Sequence, residues 1–470
     1  MRRWLVLLAL LPAAGLAQVR SWEKLIAPGL TYRMEVDFAK PLVIHAYRWS
    51  PKSTEVRAES GLAGPVIFGD QNGEVTGRET MPAMVDRTNA LAGINADFFP
   101  WTGDPLGLML RNGELVSGPW PKRSAIAWGP GGVGYGPAVF SGSVTVGGVK
   151  TALAGVNQES ANNDLVLSMP VAGQAVFKTS GVHVVIKTDQ VLRPKSVITG
   201  KVEKVVSGEK VVSILPGTAV LSASGTTADA FKSLTPDTEV SIEVGVSGFD
   251  FTLFNEAVAG GPMVLRKGAL VANGLDEGFN AAFWNDRHPR TAIGSTVHGD
   301  IWMVVVDGRQ PGLSRGASLT ELGVIMQKLG CIDAMNLDGG GSSEMVLKGA
   351  SLNRPSDKTS RAVANGILFF TQQPFPETTP ENTPTVIQGR PRLTMGIFNQ
   401  YRVLDGKGAA LDNARVIWSA QGDAWVDQGG FLRGLKPGEA TLRAWVNGKV
   451  LEVKVTVEAA APASPPPAVP

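Results

Sequence analysis

The sequence predicts an α+β chain: a large β-rich body of mixed sheets with few helices, followed by a small all-β module. Three observations predict it. Short valine- and isoleucine-rich runs recur between turn residues through the 470 residues, which include 56 glycines and 31 prolines. That density of chain breakers suits strands and tight turns. One segment carries a full helix signature: Ser318-Leu319-Thr320-Glu321 fits a capping box, Leu319, Leu322, Ile325, Met326 and Leu329 recur at helical spacing, and Gly330 stops it. A composition break at residues 371–385 (TQQPFPETTPENTPT) reads as an extended proline–threonine linker between the two parts. With 43% hydrophobic residues the chain has material for more than one core.

Taken from the amino terminus, Arg2 and Arg3 precede the apolar run Trp4 to Leu11, and Gly15-Leu16-Ala17 supplies small residues for cleavage. Residues 1–17 are therefore expected to be a secretory signal peptide, too short to span a membrane. A mature chain starting near Gln18 would be secreted, periplasmic or held at a bacterial cell surface, with no membrane span. Residues 18–91 are expected to form a β segment packed by Trp49 and Phe68. The main body is placed at 92–370. Within it, residues 130–250 alternate β-like runs with glycine turns, and His183, in the strand-like GVHVVIK, reads as structural. The polar loop of Asn157, Asn162, Asn163 and Asp164 suits either a pocket edge or a plain turn.

Three stretches repeat one pattern: Leu108-Met109-Leu110-Arg111-Asn112-Gly113-Glu114-Leu115, Met263-Val264-Leu265-Arg266-Lys267-Gly268-Ala269-Leu270 and Met345-Val346-Leu347-Lys348-Gly349-Ala350-Ser351-Leu352. Each reads as a β-hairpin with a basic, glycine-containing turn, the third a residue shorter across its turn. The three are expected to frame one pocket. After the linker, Val416-Ile417-Trp418-Ser419, Gly429-Gly430-Phe431-Leu432 and Leu435-Lys436-Pro437-Gly438-Glu439-Ala440-Thr441-Leu442 follow the order of a bacterial immunoglobulin-like domain, which residues 386–458 resemble. Trp418 would be its core tryptophan, and the domain a spacer or a contact to cell wall or polysaccharide. Residues 459–470 are an alanine–proline tail with nothing to pack.

Composition excludes several classes. The net charge is +2 with neither a basic run nor a series of stacking aromatics, so no nucleic acid partner is expected. Cys331 is the only cysteine. It rules out an intramolecular disulfide and cysteine-based metal sites, and nothing near it would activate a thiol. No cofactor is implied and no metal-ligand cluster shows recognisable spacing, although aspartates and backbone carbonyls could hold calcium.

The chemistry concentrates at Asn336-Leu337-Asp338-Gly339-Gly340-Gly341-Ser342-Ser343. Three glycines weaken regular structure but let a ligand come close to backbone amides; a glycine-rich turn between strands is the plainer reading. Ile301 to Val306 is a continuous apolar strand ending at Asp307-Gly308, and Ala334 to Leu337 is a second, expected to run parallel to it through a right-handed crossover. That puts Asp307 and Asp338 at strand carboxyl ends, where open sheets bind ligands. Upstream, Arg290 begins another strand after His288-Pro289, free to fork onto a phosphate or carboxylate, or to form a surface ion pair. Asn95 and Asp97 alternate along a fourth strand, either facing a ligand or capping a turn.

Asn95-Ala96-Asp97-Phe98-Phe99, Pro289-Arg290-Thr291-Ala292-Ile293-Gly294, Val306-Asp307-Gly308-Arg309 and the Asp338 block occur in an order that resembles the phosphodiester glycosidase family, over roughly Ala92 to Phe370. Two departures are Ala96-Asp97, where many members carry two glycines, and Glu344, where threonine is common. The resemblance implies an enzyme that hydrolyses a sugar-1-phosphodiester at the anomeric carbon. It implies Asp338 as base or nucleophile beside the oxocarbenium-like centre, Asp307 as second carboxylate, and Arg290, with His288, neutralising the phosphate. Gly339, Gly340, Gly341, Ser342 and Ser343 would hold phosphate oxygens, Asn95 and Asn336 sugar hydroxyls, with Asp97 and Arg309 also at the substrate. The expected substrate is a carbohydrate phosphodiester of the cell envelope or an extracellular polymer. A non-catalytic surface protein binding a glycan or polyanion, or an exopolysaccharide hydrolase of different bond choice, would use the same pocket.

Overall fold

The computed structural model describes residues 19–71, 74–372 and 383–460. The expected signal peptide, linker residues 373–382 and tail residues 461–470 lie outside them. The described chain is β-rich, and the α-helices in it are Met81–Thr88, Ala281–Asn285 and Leu319–Lys328. None is long and apolar enough to cross a membrane.

An eight-stranded antiparallel sheet organises the body, in the order Val19–Ala27, Leu30–Asp37, Leu42–Trp49, Ile301–Val306, Arg290–Thr296, Cys331–Asn336, Met263–Arg266, Ala269–Leu270. Both faces are covered, which accounts for the unbroken apolar run of Ile301–Val306. Ile301, Met303 and Val305 face the core that also holds Tyr32, Tyr47, Ile94, Met335 and Phe369. Trp302, Val304 and Val306 face the helix Leu319–Lys328 through Leu319, Leu322 and Met326. That helix begins with the expected capping box, Ser318 Oγ accepting from the Glu321 amide and the Glu321 carboxylate from the Ser318 amide.

The two strands flanking this helix do point the same way, but they are not neighbours. Arg290–Thr296 lies between them and pairs antiparallel with both. The strand that precedes both in sequence thus separates the expected parallel pair. The amino-terminal strands are likewise not a separate segment. Leu42–Trp49 pairs with Ile301–Val306, and Val56–Leu62 pairs with Asn365–Thr371 in a five-stranded sheet that also contains Ala92–Asn95 and Met345–Leu347. Trp49 and Phe68 are buried there.

The three repeated hairpins form. Each turns on two residues in the left-handed region, Asn112-Gly113, Lys267-Gly268 and Lys348-Gly349, as tight right-twisted hairpins require. The turns are therefore equal, and the third copy is shorter in its strands. The hairpins belong to three different sheets. Residues 139–247 build a further eight-stranded sheet with its own core. His183 is buried there beside Phe177 and bonded to Ser222 Oγ at 2.9 Å, and burial pushes its pKa down to about 4. Asn157 and Asn163 hold turns by bonding backbone groups.

After the linker, a four-stranded and a three-stranded sheet enclose Trp418. This module does not hang free. Ile417, Trp425 and Trp445 join the core of the body. Buried Lys24 donates to the carbonyls of Asn413, Val416 and Gln428, and burial lowers its pKa to about 7 against the pull of Asp427 and Asp412. A chain ending at residue 372 should lose this interface. Its thermal midpoint should fall by at least ~5 °C, since burying large apolar side chains is worth roughly 1.5–3 kcal/mol each. Calorimetry of the truncated and full chains checks this; equal midpoints would mean that the contact adds no stability.

Candidate active site

Strand parity decides which motif residues meet. Along a strand, successive side chains point to opposite faces. Arg290 pairs with Val306 and shares its face, so its guanidinium enters the layer under the helix. There Nε donates to Ala317 O at 3.0 Å and Nη2 to Phe283 O and Asp286 O at 2.8 Å, over the Phe283 ring. Burial lowers its pKa to about 10. Arg290 braces two loops and does not reach toward Asp338.

Asp307 goes to the opposite face. Its carboxylate accepts from Asn353 Nδ2 at 3.0 Å and from the Arg354 amide at 3.1 Å, and lies 3.5 Å from His45 Nε2, whose other nitrogen bonds Tyr32 OH. Arg354 in turn donates to Gly422 O and Ala424 O of the carboxyl-terminal module. Asp307 and Asp338 stand at the same sheet end, and the Asp307 carboxylate is engaged in this network of Asn353, Arg354 and His45.

Asp338 is held elsewhere. Its amide donates to Ala96 O and its carbonyl accepts from Asn95 Nδ2 at 2.7 Å. Asn95 Oδ1 accepts from Thr291 Oγ1 and the Glu344 amide. Buried Asn95 therefore ties three of the four motif blocks. Asn336 is also buried, its Nδ2 given to Gly261 O. The Gly339 amide donates to Asp338 Oδ1, and that of Gly340 to Pro289 O. Ser342 and Ser343 amides close a tight turn on Gly339 and Gly340. Most glycine-loop amides are thus spent on the loop itself. A Cβ on Gly341 would lie 2.1 Å from the Arg361 guanidinium and the Asp357 carboxylate, so that ion pair would have to shift.

The second carboxylate is Asp97. It is buried, accepts from the Phe98 and Gly107 amides at 2.8 and 2.7 Å, and interacts electrostatically with Asp338. Burial pushes Asp97 up to about 7, against Gly107 and Arg123, and Asp338 up to about 6, against Ser342, Gly339, Arg361 and Arg123. Arg123 faces both and stacks on Phe98 and Phe279 at 4.8 and 4.6 Å. Its Nη1 is buried without a partner, as are Ser342 Oγ and Ser343 Oγ. Ser342 Oγ is near enough to favour the Asp338 anion but forms no well-shaped hydrogen bond. Orphaned donors are costly unless a ligand completes them. His288 and Arg309, 3.4 Å apart, sit beside Gly340 on the outer side of the turn.

Arg123 and Arg361 escape the sequence reading. A signal for Arg123 exists: Arg123-Ser124-Ala125-Ile126 repeats Arg290-Thr291-Ala292-Ile293, each after one of the hairpins. Cys331 is buried, which pushes its thiol up to about 12. Among the described residues, no three His, Cys, Asp or Glu side chains gather as a metal would need.

Residues 193–370 match the phosphodiester glycosidase family. That match covers 178 of the 470 residues. The chain is similar to human N-acetylglucosamine-1-phosphodiester alpha-N-acetylglucosaminidase, with 33% identity over 113 residues, 22% of each chain. It is also similar to an uncharacterized SPbeta prophage-derived protein of Bacillus subtilis, 40% identical over 85 residues, 18% of this chain and 13% of that one. It thus spans less than a quarter of these relatives. The fold is shared with a hypothetical protein from Synechocystis, at a TM-score of 0.61 and 23% identity over 74% of this chain and 63% of that one. The family match starts after Asp97 and Arg123, yet the fold brings both to the phosphodiester glycosidase motif.

Two outcomes are expected. Asn95→Ala strands the Asp338 carbonyl, the Thr291 hydroxyl and the Glu344 amide, and should cost ~3 kcal/mol or more in urea unfolding at about 1–3 kcal/mol per orphaned group. The raised carboxyls give a pH signature. Between about pH 4, where a free aspartate ionises, and their folded values, the folded chain holds protons that the unfolded chain has released. Their stabilisation is full below that window and is lost as pH rises through about 6 for Asp338 and about 7 for Asp97. Asp97→Asn should therefore flatten the fall of unfolding free energy across pH 4–7 by up to ~1.4 kcal/mol per pH unit; an unchanged slope would show that Asp97 titrates normally.

Proposed function

We propose that this chain is an exported hydrolase that cleaves sugar-1-phosphodiesters at the anomeric carbon, on cell-envelope or extracellular glycoconjugates. One observation carries the reading: two proton-retaining carboxyls share an arginine whose buried Nη1 has no partner, beside the hydroxyls of Ser342 and Ser343, which lack well-shaped hydrogen bonds. A phosphodiester supplies both missing halves, an anion for the donors and an electrophilic carbon for the carboxylate. The family match and the similarity to an enzyme named for N-acetylglucosamine-1-phosphodiesters support the substrate class. Arg2, Arg3 and the apolar run after them support export.

In the reaction the bond between C1 and the phosphate oxygen breaks, its electron pair leaves with the phosphate, and water oxygen bonds to C1. Asp338, the carboxyl that ionises first, stabilises or attacks the positive C1 centre. Asp97, pushed higher by burial, keeps its proton to higher pH than Asp338. Arg123, with Arg361 close by, takes up the charge that grows on the departing phosphate, and Ser342 and Ser343 donate to its remaining oxygens. The phosphate leaves as a stable anion, so charge neutralisation matters more than a strong acid. The two sheets around Trp418 we read as an immunoglobulin-like sandwich, which buttresses the body and offers its outer faces to wall or polysaccharide.

The test is turnover of a sugar-1-phosphodiester panel by the mature chain, with free sugar and phosphomonoester assayed separately. Asp338→Asn should cut kcat at least ~1,000-fold, and Arg123→Gln ~100-fold, while Arg290→Lys and Asp307→Asn act through stability. Wild-type binding across the panel with no sugar release would instead mark a non-catalytic glycan- or polyanion-binding protein.

A further inference from the structure

Two tryptophans stand in water at the border of this site: Trp101 is 73% exposed and Trp120 47% exposed. Indoles are mostly buried in folded chains, and exposed ones mark interaction surfaces. Both sit on braced turns. The Arg123 amide bonds Trp120 O at 3.3 Å, so Trp120 belongs to the turn that delivers Arg123. A Cβ on Gly107, whose amide holds Asp97, would lie 3.8 Å from the Trp120 backbone. Trp101 follows Phe98 in a turn closed by Gly103 N to Pro100 O, Gly77 N to Thr102 O, and Thr102 Oγ1 to Asp104 at 2.6 Å. Its ring carries the Arg78 guanidinium at 4.8 Å. Arg78 directly precedes the short strand Glu79–Thr80, whose antiparallel pairing with Ala362–Val363 carries Arg78 toward Ala364 and away from Arg361. Ala364 adjoins Asn365, whose Oδ1 accepts the Asp97 amide at 2.8 Å. Both indoles thus border the Asp97 side of the site.

We propose that Trp101 and Trp120 are stacking platforms for pyranose rings flanking the phosphodiester, so that the preferred substrate carries further sugars beyond the bond that is cut. The apolar C–H face of a pyranose matches the area and the negative π-face of one indole. Two separate indoles set among Arg78, Arg123, Pro119, Pro121 and Lys122 suit ring-by-ring contact with a polar polymer better than one continuous apolar protein interface. Because the turns are already ordered, little entropy is lost on contact. The inference rests on the preceding reading for the position of the reacting bond.

The experiment uses the mature full chain and its Trp101→Ala, Trp120→Ala and double variants. The probes are the methyl ester of N-acetylglucosamine-1-phosphate and the same phosphodiester carrying a chitotriose or mannotriose aglycone. The double variant should turn over the methyl ester within about two-fold of wild type and show a KM for the extended substrates raised about ten-fold with kcat kept, a loss of about 1.4 kcal/mol. Calorimetric titration of phosphate-free chitotriose and mannotriose into the Asp338→Asn chain, with and without the tryptophans, reads the platforms without turnover. Binding lost with the indoles upholds the proposal even if no phosphodiester is cleaved, in which case only the hydrolase reading fails. Equal KM changes for short and extended substrates, no change for either, or no wild-type preference for the extended ones would overturn it. So would sedimentation showing tryptophan-dependent self-association without sugar binding.

Discussion

The buried amide of Asn95 is the interaction on which the site depends. It holds the Asp338 carbonyl with one end and the Thr291 hydroxyl and Glu344 amide with the other. These groups come from separate stretches and two different sheets. A buried polar group must find partners or cost free energy comparable to a lost hydrogen bond, so the lock is specific as well as strong. With it closed, Asp338 is delivered past the end of its strand, and Pro289 O receives the Gly340 amide. The glycine turn then has one shape, and Gly341 leaves room for Arg361 and Asp357, paired at 2.5 Å.

Around that lock the molecule tolerates incomplete electrostatics. Asp97 and Asp338 are both desolvated enough to hold protons well above the range of a free carboxylate. Arg123 faces them with a buried nitrogen unsatisfied. A site optimised for stability alone would close these gaps with further hydrogen bonds; sites that act on ligands leave them for the ligand to fill. The aromatic wall of Phe98, Phe279 and Phe283, with ring separations of 4.9–6.1 Å, excludes water from one side and strengthens each charge.

Arg290 and Asp307 have a common task in the fold. Arg290 fastens the helix-side loops by three carbonyl bonds. Asp307 organises Asn353 and Arg354, and through Arg354 reaches the carboxyl-terminal module. The module is thereby connected to the segment immediately following Ser343, whose carbonyl Asn353 also holds. Its packing is a structural continuation of the body, which a proline–threonine linker alone would not require.

Much was legible from the residues in order. The β-rich class, the capped helix Leu319–Lys328, the three hairpins, the structural His183 and the buried Trp418 all follow from local chemistry: periodicity, caps, and turn residues that accept positive φ. What the sequence by itself determined was therefore which segments matter and what each becomes locally. Only the tertiary structure decided which side chains meet. Inserting Arg290–Thr296 between two parallel-pointing strands, and the two-residue alternation of every strand, sent Arg290 to one face of the sheet and Asp307 to the other. The same packing brought Asp97 and Arg123, far earlier in the chain, against Asp338. The physical reason is that a motif fixes backbone conformation within a few residues, whereas the facing of a side chain depends on strand order and register, which are set by contacts hundreds of residues apart.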